Sequence, residues 1–434
     1  MEIKREARKV SAIFGSSALD VDFEQMVEEP TIRVPRLDDL CVKFFAENID
    51  RYPALDHIKS EYVAAAVELI DTNKISYETA SKHIKNEMFW KKIALARWPR
   101  LPNEIAEHGM SWRRLYAEIH IQEQFEKYYP SKCGTNLEVL EKEVGLVKPF
   151  IQTIRFRKLR AEIDLSKVLG DVQNLQTLDL TYGHRGVGMG YEKALFGIKP
   201  SEAMHLSRLI ANSKALTRLI LKENLLSDEA IQILCSGMSK NNTVTFLDLS
   251  HNKISDSGAV RLAKLLSRGS MLIDLNLSDN IIRKTGAEEL AKALAENDIL
   301  GTLSLRQNYI TDDGGECVLK ALCSNDTLTE LDLGANKLGG KTGEALKEML
   351  VRNKSVTSID LSCNSVLPNK KVTKILDSLE VNKSITRLDL RKNVDDQKEL
   401  AKVKKLLRTR QVKTKQDSRK KYQAGWDLLD DLIV

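Results

Sequence analysis

The chain has 434 residues, of which 42% are hydrophobic and 29% are charged, with a formal net charge of +6. This length exceeds one ordinary domain. No run of about 18 apolar residues occurs, so we expect no membrane span, and the first residues lack the apolar core of a signal peptide. The six cysteines form no Cys-x-x-Cys pair, so we expect core cysteines of a soluble protein in the reducing cytoplasm.

The N-terminal third of the chain is predicted to be helical. Residues 1–30 form an extension that we expect to be loosely ordered or folded on a partner, and residues 31–145 a helical module. Trp98-Pro99 and Leu101-Pro102 predict helix breaks, and Ser111 predicts the N-cap of a following helix. Three apolar stripes at helical spacing support the module: Leu37, Leu40, Cys41, Phe44 and Phe45; Val63, Ala66, Val67 and Ile70; and Ile84, Met88, Trp90 and Ile93.

A motif of the form aliphatic-x-x-aliphatic-x-Leu-x-x-Asn, here called a leucine phrase, then recurs. The asparagines lie at 224, 252, 280, 308, 336 and 364, every 28 residues, and a seventh phrase ends at Asn393 after 29. Gly183 takes the asparagine position of an earlier, eighth phrase. This pattern is typical of leucine-rich repeats. We predict an α/β solenoid of about eight repeats over residues 146–395, ribonuclease-inhibitor-like, with parallel strands on the concave face and helices on the convex face.

Each repeat contains a strand and a helix. In one repeat, Leu303 and Leu305 have the two-residue period of a strand, and Asn308 is predicted to bond backbone groups of the neighbouring coil. The helix stripe of the preceding repeat is Ala287, Leu290, Ala291 and Leu294. The first repeat carries 13 extra residues after Gly183, which are either a flexible excursion or a partner contact. The candidate contact residues of this insertion are Arg185, Met189 and Tyr191.

The strand positions between the buried leucines predict a charged concave face. Its central column reads Asp179, Ile220, Asp248, Asn276, Ser304, Asp332, Asp360 and Asp389, with Arg218, Lys222, Arg306, Arg387 and Arg391 beside it. Aspartate is common at this position in such repeats, so family background is one interpretation. The other is an acidic stripe that binds a basic helix or tail. The candidate binding residues are Asp179, Asp248, Asp274, Glu330, Asp332, Asp360 and Asp389.

Nothing in the sequence argues for an enzyme, a cofactor or a metal. The segment 335–342, with Gly339, Gly340, Lys341 and Thr342, fits a relaxed phosphate-loop pattern. We interpret it as a repeat loop, since Asn336 is a repeat asparagine and a phosphate loop also needs a magnesium-binding carboxylate. The seven histidines show no His-x-x-x-His spacing, and no Gly-x-Ser-x-Gly elbow occurs.

The last segment, residues 396–434, is predicted to be a capping helix followed by a basic tail. Leu400, Val403 and Leu407 share one side of that helix, and 11 basic against two acidic residues lie between Lys398 and Lys421. The tail is either solvated or docks on an acidic protein surface such as tubulin or a coiled coil. Nucleic acid is disfavoured, because Tyr422 is the single aromatic at its edge. The candidate electrostatic residues are Lys404, Lys405, Arg408, Arg410, Arg419, Lys420 and Lys421.

Three stretches resemble one family beyond the generic repeat. They are residues 34–41; residues 89–99 with 108–120, which contain Phe89-Trp, Trp98-Pro and Ser111-Trp-Arg-Arg; and residues 178–196 around Gly188-Met-Gly-Tyr-Glu. In the same order they are similar to the t-complex-associated testis-expressed leucine-rich-repeat protein family, subunit five of the nexin–dynein regulatory complex. The resemblance runs from about residue 31 to 395.

This resemblance implies a non-catalytic scaffold that links doublet microtubules and regulates dynein-driven motility in the axoneme of cilia and flagella. It implies as partners the coiled-coil core and the leucine-rich-repeat neighbours of that complex, with tubulin or dynein components as further candidates. Neither nucleic acid nor a membrane is expected as a partner.

Two other functions remain open from the sequence. Trp112-Arg-Arg-Leu-Tyr, together with Phe89-Trp, resembles the region that follows an F-box, which implies a substrate adaptor of a ubiquitin ligase. Residues 101–105 could imitate the opening of the box, but the six residues between Ile105 and Trp112 are too few for its helices. A GTPase-activating protein of the Ran type has similar repeats. Proteins of that type carry an acidic C-terminal region, whereas this one is basic.

Overall fold

The computed structural model describes residues 36–53, 55–100, 105–128, 137–159, 163–183, 196–267, 269–366, 372–393 and 400–411. The chain divides into two compact units, one ending at Ile84 and the other beginning at Lys85. The candidate residues Arg185, Met189, Tyr191, Arg419, Lys420 and Lys421 lie outside the described residues.

The first unit is helical. Its helices are α1 Leu37–Glu47, α2 Ser60–Leu69 and α3 Tyr77–His83, with a 3-10 turn at Leu55–His57. The predicted stripe of α2 is buried, whereas α1 packs through a different face: Val42 and Ala46 are buried, while Leu37 and Phe44 are 75% and 61% exposed. The apolar spacing of α1 therefore identified a helix but not its buried side.

The second unit begins with three helices, α4 Glu87–Arg97, α5 Trp112–Lys127 and α6 Leu137–Val147. The predicted cap of α5 is present, because Ser111 Oγ accepts the Arg114 N–H at 3.3 Å. Phe125 of α5 stacks on Phe156 of the first strand, with ring centroids 4.4 Å apart. Helices α4–α6 thus belong to the same compact unit as the repeats.

The predicted solenoid is confirmed. The described strands form one parallel sheet in chain order, β1 to β9, and helices alternate with them. The strands are β1 Thr153–Leu159, β2 Thr177–Tyr182, β3 Arg218–Ile220, β4 Phe246–Asp248, β5 Asp274–Asn276, β6 Thr302–Ser304, β7 Glu330–Asp332, β8 Ser358–Asp360 and β9 Arg387–Asp389. The helices are α7 Leu165–Val168, α8 Pro200–Asn212, α9 Asp228–Met238, α10 Asp256–Leu266, α11 Lys284–Glu296, α12 Thr311–Ala321, α13 Gly340–Arg352, α14 Val372–Val381 and α15 over residues 400–411.

Leucines and asparagines hold neighbouring repeats together. Leu303 and Leu305 are fully buried, as is Leu290 of the helix stripe. The Asn308 amide donates to Leu277 O at 2.9 Å and to Leu305 O at 3.1 Å, and its Oδ1 accepts the Ile282 N–H at 3.1 Å. The asparagine therefore satisfies backbone groups of two coils, as predicted. Each such group would be expensive to leave unpaired in the interior.

A second asparagine series, which the sequence analysis missed, lies between the helices and the strands. Asn325 donates to Leu294 O and Asn297 O, both at 2.8 Å, and its Oδ1 accepts the Leu328 N–H at 2.9 Å. Asn297 and Asn353 make equivalent bonds one repeat away on each side. Their 28-residue spacing was the available signal.

Candidate protein-binding surfaces

The sheet face opposite the helices, here called the concave face, carries its outward side chains in ordered rows. Pairing of the strands places Arg155, Asp179, Ile220, Asp248, Asn276, Ser304, Asp332, Asp360 and Asp389 in one central row. The row beside it contains Arg218, Phe246, Asp274, Glu330 and Arg387. The seven candidate residues of this face therefore lie in these two rows, on β2, β4, β5, β7, β8 and β9, as expected from the repeat register.

Several central-row side chains also accept a backbone N–H just beyond the end of their own strand. Oδ1 of Asp248 accepts the Ser250 N–H at 2.9 Å, and Oδ1 of Asp360 accepts the Ser362 N–H at 2.8 Å. Asp332 and Asp389 make the same bond to the residue two positions on. Asn276 makes it without a charge, at 3.0 Å. An Asx side chain at this position thus has a structural role that needs an oxygen but no charge.

Arginines offset much of the acidic charge near β7–β9. The Arg306 guanidinium lies 3.7 Å from Asp332 Oδ1 and 3.6 Å from Asp360 Oδ2. Arg391 Nε donates to Asp389 Oδ2 at 2.8 Å. Arg306 and Arg391 therefore partly neutralise the acidic row, which does not form a uniformly acidic groove.

Burial and these arginines shift the acids in different directions. Burial raises the pKa of Asp332, and the nearby Asp360 carboxylate adds to the effect. Burial likewise raises the pKa of Asp274 and of Asp179, although cations oppose it at both. For Asp389, burial is outweighed by hydrogen bonds and charge from Arg391, so its pKa is lowered. The charge of Asp389 is thus already stabilised within the chain.

The segment that resembles a phosphate loop is occupied by a carboxylate of the preceding repeat. Asp312 accepts the N–H groups of Gly339, Lys341 and Thr342 at 2.8, 3.0 and 2.8 Å, which are the donors that would hold a phosphate. The Lys341 ammonium lies 2.6 Å from Asp313 Oδ1. Asp228 and Asp256 accept equivalent N–H groups one helix further on. These bonds support the interpretation as a repeat loop.

The first strand is completed by a side chain that the sequence analysis did not single out. Within the stack, consecutive N–H groups at a strand start donate to one carbonyl of the preceding repeat, as Gln176 and Thr177 do to Gln152 O. β1 is the first strand among the described residues, and there Gln152 N and Thr153 N donate instead to Glu118 Oε1 at 2.8 and 2.7 Å. Glu118 is buried and also accepts from Arg114 Nε at 2.8 Å and contacts His108.

The last strand is completed by α15. Arg410 donates through Nη1 to Ile385 O at 3.0 Å and through Nη2 to Leu379 O, and Gln411 donates to Thr386 O at 3.0 Å. Burial lowers the pKa of Arg410. Lys404, Lys405 and Arg408 are exposed on the same helix, opposite the buried Leu400, Val403 and Leu407. Arg410 thus closes the stack, whereas these three remain candidates for electrostatic binding.

Other kinds of site find no support in the described ranges. Among those residues, no group of three or more histidine, cysteine, aspartate or glutamate side chains could hold a metal ion. Within the same ranges no helix is both long enough and apolar enough to cross a bilayer.

Known proteins relate this architecture to one family. A model described as "Leucine Rich repeat" matches residues 240–263 and 324–347. A protein named dynein regulatory complex subunit 5 from Chlamydomonas reinhardtii is 34% identical over 205 residues, which are 47% of this chain and 51% of that protein. The protein of the same name from Homo sapiens is 30% identical over 229 residues, covering 46% and 45%. Over about half its length, this chain is similar to proteins named dynein regulatory complex subunit 5.

The expected resemblance is thereby confirmed, although the chain spans about half the length of the curated subunit 5 relatives that it matches. Among solved structures, the complex titled "Crystal structure of Rad7 and Elc1 complex in yeast" covers 84% of this chain and 96% of that chain. Its identity is 15% and its TM-score is 0.45, a likeness too small to argue from.

The tryptophan blocks that carry the resemblance to subunit 5 form the N-terminal end of the stack. Trp98 donates to Glu123 at 2.7 Å, and Arg97 bonds both Glu123 and Tyr116. The Arg113 guanidinium stacks 3.9 Å from the Phe150 ring. These residues hold α4 against α5, and α5 against the segment that precedes β1, which gives the blocks a structural role.

Proposed function

We propose that this chain is a non-catalytic interaction subunit of the axonemal nexin–dynein regulatory complex. In that complex it links neighbouring doublet microtubules and takes part in the control of dynein-driven ciliary and flagellar motility. The observation that carries the proposal is the 34% identity to a protein named dynein regulatory complex subunit 5 over 205 residues. The long strand face, with its rows of charged side chains, supports a role in binding proteins.

We further propose three contacts within that complex. The concave face, through Asp248, Asp332, Asp360 and Asp389, binds a basic segment of another subunit. The helical residues 31–145 dock on the coiled-coil core. The basic tail adds an electrostatic attraction that weakens with salt, toward an acidic surface such as tubulin or a dynein component.

The location of the protein tests the first proposal. A tagged copy expressed in ciliated cells that lack the endogenous relative should appear periodically along the doublets and should copurify with other subunits of the complex. A copy that stays in the cytosol or nucleus, under conditions in which it is soluble and folded, would contradict the proposal.

The concave contact can be tested without disturbing the strand ends. Changing Asp248, Asp332, Asp360 and Asp389 together to asparagine removes four charges but keeps the Asx bond, as Asn276 shows. We expect reduced incorporation into axonemes and weaker binding at low salt. The matched control changes four exposed helix glutamates, Glu229, Glu296, Glu344 and Glu348, to glutamine. Equal incorporation of both variants would remove the acidic row from the proposal.

A further inference from the structure

The concave face differs in chemistry along its length. From β4 to β8 its outward side chains include five carboxylates and one arginine, namely Asp248, Asp274, Glu330, Asp332, Asp360 and Arg306. From β1 to β3 they include four cations and one carboxylate, namely Arg155, Arg157, Arg218, Lys222 and Asp179. The face is thus mainly basic over β1–β3 and mainly acidic over β4–β8.

The basic stretch adjoins the two apolar side chains of this face. Among the outward positions of the described strands, Ile220 and Phe246 are the apolar ones, and they lie on adjacent strands. The Arg218 guanidinium stacks on the Phe246 ring, 3.7 Å from its centroid. This stacking orients the guanidinium while its N–H donors stay in its plane for a carboxylate. Arginine and aromatic side chains are also the types that anchor protein interfaces.

This surface fits an acidic, apolar protein segment better than a nucleic acid. Four cations attract carboxylates, and Ile220 with the edge of Phe246 offers an apolar contact. Asp179 lies among the cations, and Asp248 is paired with Ile220 in the strand register. Those carboxylates repel any anion, so it is the apolar contact with Ile220 and Phe246 that favours a protein segment over a phosphate backbone.

The chain itself contains a segment with this chemistry. Residues 426–434 read Trp-Asp-Leu-Leu-Asp-Asp-Leu-Ile-Val, with three aspartates among six large apolar residues. Residues 413–421, which precede it, contain five basic residues and one aspartate. In chain order the tail is first basic and then acidic and apolar. The concave face, followed from β8 toward β1, is first mainly acidic and then basic and apolar.

The distances allow this pairing within one molecule. Gln411, at the end of α15, bonds Thr386 at the start of β9. From β9 to β3 there are six strand spacings, or about 29 Å. The 14 residues from 412 to 425 can span up to about 48 Å when extended.

We propose that residues 413–434 bind along the concave face of their own chain. The basic part lies over the acidic row of β4–β8, and residues 426–434 lie on Arg218, Ile220 and Phe246. The tail then occupies the surface that a partner subunit requires, so a partner gains the concave face by displacing it. The contact between the tail and the concave face does not depend on the proposed subunit role; only the competition with a partner subunit rests on it.

The test is photo-cross-linking in the purified full-length chain. p-Benzoylphenylalanine replaces Trp426, which keeps an aromatic ring at that position, and cross-linked peptides are mapped by mass spectrometry. An equal mixture with isotope-labelled chain separates cross-links within one molecule from those between copies. We expect intramolecular cross-links to peptides that contain β3 and β4, with a yield that falls as salt is raised.

Charge reversal decides whether the contact is specific. Arg218→Glu with Lys222→Glu should lower the yield about tenfold, which corresponds to about 1.4 kcal/mol, and adding Asp430→Lys with Asp431→Lys should restore it. Lys264→Glu with Lys292→Glu, on exposed helix positions, is the matched control and should leave the yield unchanged. Cross-links between copies, cross-links spread over the surface, or an unchanged yield after reversal would each overturn the proposal. None of those outcomes would touch the subunit role, since no axoneme is involved.

Discussion

The two ends of the repeat stack are completed by opposite chemistry. At the N-terminal end, the N–H groups of Gln152 and Thr153 meet a buried carboxylate, Glu118. At the C-terminal end, backbone carbonyls meet the guanidinium of Arg410 and the amide of Gln411. At the strand starts, N–H groups donate to a carbonyl of the preceding repeat, as Gln176 and Thr177 do to Gln152 O, so at this level the first described strand is left with donors and the last with acceptors. Each end therefore needs a side chain of the other kind.

The side chains that complete the two ends also differ in burial, which sets how much stability is lost when each is removed. Glu118 is 4% exposed and is held by Arg114 and His108 as well as by the strand. Arg410 lies on a helix whose outer side is solvated. Removing the N-terminal side chain should therefore destabilise the chain more than removing the C-terminal one.

The largest effect is expected for Glu118→Ala. The substitution leaves Arg114 without its buried partner and the Gln152 and Thr153 N–H groups without an acceptor, which should cost about 3–5 kcal/mol. Denaturant unfolding measures the loss, and hydrogen exchange should show early opening at β1. Glu118→Gln keeps an acceptor oxygen and should lose less. Equal stability of the alanine variant and the unmodified chain would contradict the capping role.

A smaller effect is expected for Arg410→Ala. Water can reach the freed carbonyls of Leu379 and Ile385, so we expect a loss of about 1–2 kcal/mol, with faster hydrogen exchange confined to α14 and β9. Arg408→Ala is the matched control, because this side chain is exposed on the same helix. If both variants unfold alike, Arg410 acts only as part of the charged tail.

The origin of these caps shows which parts of the architecture the sequence could predict. Leucines and asparagines that recur every 28 residues predicted the strands, the helices and the Asn308 bonds, because neighbouring repeats supply one another's contacts. Glu118 lies 34 positions from Gln152 and belongs to no repeat, so no spacing could reveal it. The concave rows followed from the register. Arg306 offsets part of the acidic charge of these rows by reaching across two strands to Asp360. That contact depends on side-chain geometry, which the spacing does not give.

A buried histidine at the N-terminal end should also make stability depend on pH. His120 is buried and bonds Arg97 and Glu143 at 3.0 Å each. Burial lowers its pKa from the ordinary value of 6.5, Arg97 lowers it further, and Glu143 opposes the shift. Because the folded pKa lies below the unfolded one, this contribution to stability is present above about pH 6.5 and is lost as pH falls below it.

The His120→Gln variant isolates that contribution. Its free energy of unfolding should depend less on pH between about 6.5 and 5 than that of the unmodified chain. Arg410 and Gln411 do not titrate in this range, so Arg410→Ala should keep the original dependence. Parallel pH profiles for the chain with and without His120 would rule out its role.

The smallest effect is expected at Lys341, in the segment that resembles a phosphate loop. Lys341→Ala removes an exposed ion pair with Asp313, and exposed pairs contribute little, so we expect no measurable change in stability. Asp312→Ala removes the acceptor of three N–H groups at the start of α13 and should cost about 1 kcal/mol, as for a lost helix cap.

Calorimetric titration with ATP and magnesium should show no saturable heat for the unmodified chain, because Asp312 already holds the donors that a phosphate requires. A saturable heat that disappears in Lys341→Ala would show instead that a nucleotide displaces Asp312 and would restore the phosphate-loop interpretation.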